Sequence, residues 1–253
     1  MSVVTEYARP REFIALAAFL MATIALAIDM MLPAMGQMAI DLELAEPAKI
    51  SWVILGIFAG LVLGQLVFGP LSDAVGRRGS IQIGIAIFLI GTGVCALTDS
   101  FEVLIAGRVL QGFGGAATRI VTQAMVRDRF AGREMARVMS FVMTIFILVP
   151  IFAPMIGQVV LWFGNWQMLF VTLGGFSAII LGWFSLRQPE TLTHRRTITV
   201  SHLSEAFQMV LTNERSLRFT LAAGISFGGL VSYLSGAQHI FQDIYHTGEW
   251  LPV

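Results

Sequence analysis

Long apolar runs alternate with short charged breaks along this chain. A helix crosses the hydrocarbon core with about 20 apolar residues. Seven stretches qualify: 13–34, 50–71, 79–98, 101–125, 138–162, 167–186 and 219–242. The pattern predicts an all-α, polytopic membrane helix bundle of six helices, a polar stretch over 187–217, and a seventh helix. The breaks at 98–101 and 163–166 are so short that the helices they join must be antiparallel neighbours. Arg9 and Arg11 precede the first run, and Ala25-Leu26-Ala27 resembles a signal-peptidase site. The run is long for a signal segment and six more follow, so it is read as a retained helix. The polar stretch can form an amphipathic helix with Leu203, Phe207, Val210 and Leu211 on one face, suited to the inner membrane surface; a disordered linker fits the same residues equally well.

Composition agrees with the pattern. The 253 residues are 56% hydrophobic and 13% charged, and mean hydropathy is +0.78, against roughly 25% charged in a soluble domain. The formal net charge is zero, and no basic block suggests a nucleic-acid partner. The lipid bilayer is the partner the composition implies. Where the charges fall sets the topology. With the N-terminus inside, the inner segments hold Arg9, Arg11, Arg77, Arg78, Arg127, Arg129, Arg133, Arg137, Arg187, Arg195, Arg196, Arg215 and Arg218, while the outer segments hold only Lys49. Basic residues in short loops stay cytoplasmic, so the N-terminus is expected in the cytoplasm and the C-terminus, after an odd number of spans, outside. Cys95 is the single cysteine, which excludes an intramolecular disulfide. His194, His202, His239 and His246 make no metal-ligand cluster. Gly112-x-Gly114 lacks the strand that a nucleotide loop requires. No enzyme, metal or bound cofactor is indicated.

Charges inside the spans carry the candidate chemistry. Asp29 lies in the first span, about four residues before Pro33. A charged side chain at such a depth costs about 3 kcal/mol or more and normally faces a bundle interior or a water-filled cavity. A helix-end carboxylate reaching the interface is the plain alternative. Arg108 stands roughly 10 Å in from the outer end of the fourth span and Asp29 roughly 6–7 Å in on its own helix, at 1.5 Å per residue. Opposite charges at matching depth can neutralise one another, and these two are expected to pair. On a helix Arg108, Gln111, Gly115 and Arg119 share one face, which is expected to line a central cavity. Arg119 itself, near the inner end, can equally snorkel to the headgroups. The second span carries Gly56-x3-Gly60-x3-Gly64, a row that lets a neighbouring backbone approach closely. Gln65 adjoins it, as packing glue or cavity lining.

Residues 69–78 read Gly-Pro-Leu-Ser-Asp-Ala-Val-Gly-Arg-Arg and follow directly on the second apolar run. They resemble the Gly-x-Leu-x-Asp-x-x-Gly-Arg-Arg/Lys motif between the second and third helices of the major facilitator superfamily, with Gly69, Leu71, Asp73, Gly76, Arg77 and Arg78 on the motif positions. Arg108-Val-Leu-Gln111-Gly112 resembles the Arg-x-x-Gln-Gly motif of its proton-coupled members. In the fifth span, Pro150 and Ala153-Pro154-Met-Ile-Gly157 partly match the Gly-Pro-x-x-Gly-Gly element of its antiporters, with Ala153 and Gln158 in place of glycines. Together with Ile28–Ala34, Val126-Arg127-Asp128 and Pro189-Glu190-Thr191, these stretches resemble the Bcr/CflA-type multidrug:proton antiporters.

The resemblance implies twelve helices in two six-helix halves, alternating access, and proton-driven export of small amphipathic drugs across the bacterial inner membrane. A proton gradient, not a cofactor, would supply the energy, and the partners would be protons and a small-molecule substrate. Asp29 would accept the proton and Arg108 modulate it. The residue at the Asp73 position helps to clamp the halves in one state. Pairing of Asp128 with Arg77 is expected from the proximity of their loops, and Gly69, Asp73, Gly76, Arg77, Arg78 and Asp128 are grouped as that latch. Pro150, Pro154 and Gly157 are expected to kink the fifth helix, which favours export. The domain reading is 1–190 for the six-helix bundle, 191–217 for a cytoplasmic linker and 218–253 for the first helix of an incomplete second half. Such a chain would need the missing half or a complementing chain. The alternatives are a non-transporting truncated fragment and a proton-coupled nutrient symporter.

Overall fold

The computed structural model describes residues 10–193, 208 and 211–239. The chain divides into two compact units, Met1–Arg195 and Arg196–Leu251. The first unit contains α1 (Pro10–Asp29), the short α2 (Met35–Asp41), α3 (Trp52–Val75), α4 (Arg77–Leu97), α5 (Phe101–Arg129), α6 (Gly132–Leu161) and α7 (Gln167–Arg187). The second contributes α8 (Glu214–His239). Leu203, Phe207 and Val210 of the expected amphipathic segment, and His194, His202 and His246, lie outside the described residues.

Among the described residues, five helical stretches are long and apolar enough to cross a membrane: Pro10–Asp41, Ala48–Val75, Arg77–Leu97, Gly132–Leu161 and Gln167–Arg187. α5 and α8, both expected as spans, are not among the five. In α5 the hydropathy is diluted by Arg108, Gln111, Arg119 and the glycines 107, 112, 114 and 115. A helix enclosed by its neighbours can carry such residues, because their surroundings are protein and not lipid. α5 packs closely against α3 on one side and α4 on the other.

Small residues make that sandwich possible. A Cβ added to Gly60 would fall on the Val109 carbonyl, and one on Gly64 would meet the backbone of Phe113 and the Ala116 side chain. From the other helix, Gly112 lies against the Ile57 carbonyl. On the α4 side Gly84 meets Ala117, Gly91 meets the Gln111 amide, and Gly114 meets the Gly84 carbonyl. Contact at backbone distance replaces the aqueous hydrophobic drive that is missing in lipid. α1 lies against α5, α6 and α7. Its start is tied to the end of α7 by Arg187, whose Nε and Nη2 donate to the Glu12 carboxylate at 2.8 and 3.1 Å, while Trp183 Nε1 donates to it at 3.2 Å. α4 and α5, joined by the short turn, pack tightly; α6 and α7 touch lightly. Much of α6 presents apolar side chains outward, among them Phe141, Ile147, Ile151, Phe152 and Met155.

Two boundaries differ from the sequence reading, each for a local reason. The first span is not one helix to residue 34. α1 ends at Asp29, a 3₁₀ turn covers Leu32–Ala34, and α2 follows. Pro33 explains the break: it lacks an amide for the Asp29 carbonyl, and its ring crowds the carbonyl four residues earlier. Asp29 is therefore the last α-helical residue. The second span runs on to Val75, so the charged motif is helical apart from one residue, Gly76. Pro70 is accommodated inside α3, and Ser72 Oγ donates to the Gly69 carbonyl at 2.8 Å.

Candidate functional site

The break after α1 is the first of two polar clusters. Asp29 is 5% exposed. Its carboxyl group has neither a hydrogen bond nor an ion pair among the described residues. Arg108, on α5, is fully buried. Its Nη1 donates to the Ala27 carbonyl at 2.9 Å and to Gln111 Oε1 at 2.6 Å, and its Nε donates to the Val53 carbonyl at 3.1 Å. Gln111 Nε2 donates to Thr92 Oγ1 at 2.8 Å, and Thr92 donates onward to the Phe88 carbonyl at 2.7 Å. Nη2 has no hydrogen-bond partner among the described residues. The Phe170 ring lies 5.8 Å from the guanidinium carbon, within cation–π range.

The expected Asp29–Arg108 ion pair is thus not formed. Backbone carbonyls at the end of α1 and the start of α3, with one amide oxygen, hold the guanidinium instead. Equal depth along two helices says nothing about which acceptors a long side chain meets on the way. The cavity-facing expectation is corrected for the same region. Gln111 is fully buried within the knot, and a Cβ on Gly115 would meet Ile24 and Phe88. Both are enclosed by neighbouring helices, because α5 is covered on more than one side. Gln65 is half-buried on α3. Arg119, also half-buried, sits over the Phe146 ring of α6 at 5.8 Å.

The α6 element meets the same break. Ala153 and Pro154 are buried while Pro150 is exposed. A Cβ on Gly157 would collide with the Met30 carbonyl and stand 3.2 Å from the Pro33 ring. α6 runs as one helix from Gly132 to Leu161 through both prolines. Its Pro154–Gly157 face is the surface against which the end of α1 rests.

The second cluster surrounds the α3–α4 turn. Gly76 has φ +107° and ψ 158°, a region that side-chain-bearing residues rarely adopt. Arg77 Nη1 donates to Asp73 Oδ1 and to Ser72 Oγ, each at 2.6 Å, and its Nε donates to Asp128 Oδ2 at 2.8 Å. The pair is more enclosed than a loop-to-loop contact suggests: side-chain exposure is 10% for Arg77 and 22% for Asp128. Arg78 Nη2 donates to the Ser185 carbonyl at 2.6 Å. A cavity of about 400 Å³ opens beside them, lined by Gly69, Ser72, Asp73, Arg77, Gln123, Arg127 and Asp128.

Glu190 completes this cluster, and sequence reasoning gave it no role. Its carboxylate accepts from the Arg77 amide at 2.9 Å and the Arg78 amide at 3.2 Å. Those are orphan donors at the N-terminus of α4, where negative charge is favoured. It also accepts from the Thr191 and Leu192 amides at 2.9 and 3.0 Å. Glu190 thus caps a helix from more than a hundred residues away, a link no local capping pattern reveals. Thr92 and Phe170 were likewise missed, each an ordinary residue in an apolar run until a partner helix brings a polar group or a cation to it; Ser72 lies within the charged motif, where its contact with Arg77 follows from the fold of the turn.

The chain is 35% identical over 222 residues to an uncharacterized MFS-type transporter, YdgK, of Bacillus subtilis, covering 86% of this chain and 55% of that protein. It is 29% identical over 220 residues to a bicyclomycin resistance protein homolog of Haemophilus influenzae, covering 86% and 55%. It is 30% identical over 230 residues to the multidrug resistance protein MdtL of Escherichia coli, covering 89% and 58%. The chain therefore spans about half the length of these curated relatives. Among solved structures, a D-xylose-proton symporter superposes with a TM-score of 0.61 at 14% identity, covering 91% of this chain and 61% of that one. The human organic anion transporter MFSD10 superposes with 0.60 at 19% identity, covering 78% and 53%. Residues 14–251 match the family described as Major Facilitator Superfamily, and with helices, turn motif and relatives in agreement, the chain belongs to that superfamily of multi-pass membrane transporters.

Proposed function

We propose that these residues form the N-terminal half of a proton-driven exporter of small amphipathic drugs in the bacterial inner membrane, working by alternating access with the N-terminus in the cytoplasm. The observation that carries the reading is Asp29: a residue 5% exposed at a broken helix end, whose carboxyl has no hydrogen bond or ion pair among the described residues. Placing an acid there is costly, and an acid that can gain and lose a proton during a transport cycle gives the placement a use. The names of the relatives from Haemophilus influenzae and Escherichia coli support drug export. The partial antiporter element at Ala153–Gly157 rests on the helix break that carries Asp29, which supports exchange over uptake. Arg77, Asp73 and Asp128 act as a latch at the cytoplasmic end, released and remade as the two halves rock. The complete transporter, of the length of its relatives, is what carries the activity.

The test is drug efflux in everted inner-membrane vesicles, with a panel of antibiotics and an imposed proton gradient. Gradient-dependent transport of at least one panel drug, abolished by Asp29→Asn, is the expected result. Transport that survives collapse of the gradient by an uncoupler, or no transport of any panel drug, overturns the reading.

A further inference from the structure

We propose that Arg119 is a cargo-binding residue, and that the group it receives is the carboxylate of an amphipathic aromatic substrate. The inference deepens the proposed function by naming the charge of the exported drug, and it rests on that reading. Arg119 lies on α5, about 6 Å along the axis past Gly115, the midpoint of Phe101–Arg129. Its guanidinium carbon stands 5.8 Å from the centre of the Phe146 ring, and Phe146 is at the middle of α6, Gly132–Leu161. The side chain is therefore held at mid-helix. A snorkelling arginine would run toward a helix end and the headgroups, which begin about 15 Å from the centre of the hydrocarbon core.

No acid of the bundle answers this charge. Arg119 has neither a hydrogen bond nor an ion pair among the described residues. The acids of the long helices stand at helix ends: Glu12 and Asp29 on α1, Asp73 on α3, Glu102 and Asp128 on α5, and Glu134 on α6, while α4 and α7 carry none. Asp73 and Asp128 are already held by Arg77, and Glu12 by Arg187. Arg108 is locked by the carbonyls of Ala27 and Val53, whereas the donors of Arg119 are open to a ligand. A lone cation at this depth is costly, and an anion that arrives and leaves with each cycle gives the placement a use. The neighbouring wall suits the rest of such a molecule. Met135, Met139, Met143 and Phe146 recur at helical spacing on one face of α6, and all four are partly buried against the core. Methionine is flexible and polarizable, and a surface rich in it re-packs around apolar bodies of different shape. The guanidinium presents two parallel N–H donors to a carboxylate, steadied by the Phe146 ring.

The test is equilibrium binding of nalidixic acid, an aromatic carboxylate, and of its neutral carboxamide to the purified transporter in detergent, at mildly alkaline pH where the acid is ionised. The parent should bind the acid about 10–100-fold more tightly than the amide, the value of a charge-assisted hydrogen bond. Arg119→Gln should bind the two within about twofold of each other. Phe146→Leu, which keeps the cation and removes its ring, should weaken acid binding by about threefold, and it serves if the glutamine variant does not fold. A parent that binds acid and amide alike, or binds neither, overturns the proposal; so does a glutamine variant with the parent's preference, or parent-like acid binding in Phe146→Leu. Added phosphatidylglycerol should displace the acid no better than phosphatidylcholine does. Selective displacement by phosphatidylglycerol assigns Arg119 to a lipid headgroup and likewise overturns it. Binding is read without a gradient. A parent that prefers the acid yet shows no gradient-driven efflux therefore counts against the proposed function alone, and gradient-driven efflux of neutral drugs with no preference for the acid counts against Arg119 alone.

Discussion

Replacing Gly76 by alanine perturbs a single methyl at the α3–α4 turn, and the structure allows its effect to be worked out. Two penalties meet there. The backbone sits at φ +107° and ψ 158°, and holding a non-glycine residue in such a region costs about 1–3 kcal/mol. The added Cβ would also fall on Glu190 Oε2, displacing a carboxylate that accepts from the Arg77 and Arg78 amides. Losing a hydrogen bond to a charged group costs about 1.5–3 kcal/mol, toward the lower end here because Glu190 is half-buried. The sum is about 3 kcal/mol, which lowers the thermal midpoint by about 6–12 °C for a domain of this size. The assay is thermal unfolding of the detergent-solubilised transporter for Gly76→Ala, Glu190→Ala and the double variant. In the Glu190→Ala background the steric part of the penalty disappears and only the backbone part remains. The cycle should therefore show a coupling of about 1–2 kcal/mol. A single variant as stable as the parent, or two effects that simply add, would refute the argument that the glycine makes room for the cap.

Four further outcomes are expected. Asp29→Asn should leave membrane abundance unchanged and abolish gradient-driven efflux; full drug resistance in cells carrying it removes Asp29 from the coupling role. Gly60→Ala should lower the thermal midpoint, because its Cβ would strike the Val109 carbonyl with the Phe113 amide 2.7 Å away, and overpacking costs about 1–3 kcal/mol. Gly93→Ala, with nothing within 4 Å of the new methyl, should be neutral or stabilising by up to about 1 kcal/mol; equal effects at the two glycines would contradict the packing account. Asp128→Ala should destabilise by about 1.5–3 kcal/mol, the value of a hydrogen bond to a charged group, since it leaves the enclosed Arg77 without one of its acceptors. A midpoint shift below 2 °C would show that water compensates.

Much of this was legible in residue order. The apolar runs located the long helices to within a few residues, since span length is a one-dimensional property set by bilayer thickness. The Gly56, Gly60 and Gly64 row announced a close helix contact, and the structure supplies α5 as its partner. The charged turn was found from Gly69, Asp73, Gly76, Arg77 and Arg78, and Asp128 was matched to Arg77 from loop order alone. Asp29 and Arg108 were singled out correctly as buried charges, yet their pairing was inferred wrongly. Burial is forced by depth in an oily span, whereas a partner depends on the direction of a side chain among four or five neighbours. Glu190 shows the same limit, since its role at α4 depends on where α7 delivers the chain.

Hydrophobic pattern and the placement of charges therefore determined a multi-pass helical bundle and the sites of its buried charges, and the motif at 69–78 marked the position of the turn before α4, because each follows from local chemistry acting on a helix or a turn. Only the tertiary structure decided what those groups touch: that Arg108 holds the end of α1 and makes no ion pair with Asp29, that Gly157 supports the same break, and that Glu190 caps α4. The physical reason is one of range. Hydrophobicity and backbone preference act on neighbours in the chain, while hydrogen bonds and backbone contacts form within about 3–4 Å in space, and the helix packing that sets those distances is a property of the whole bundle.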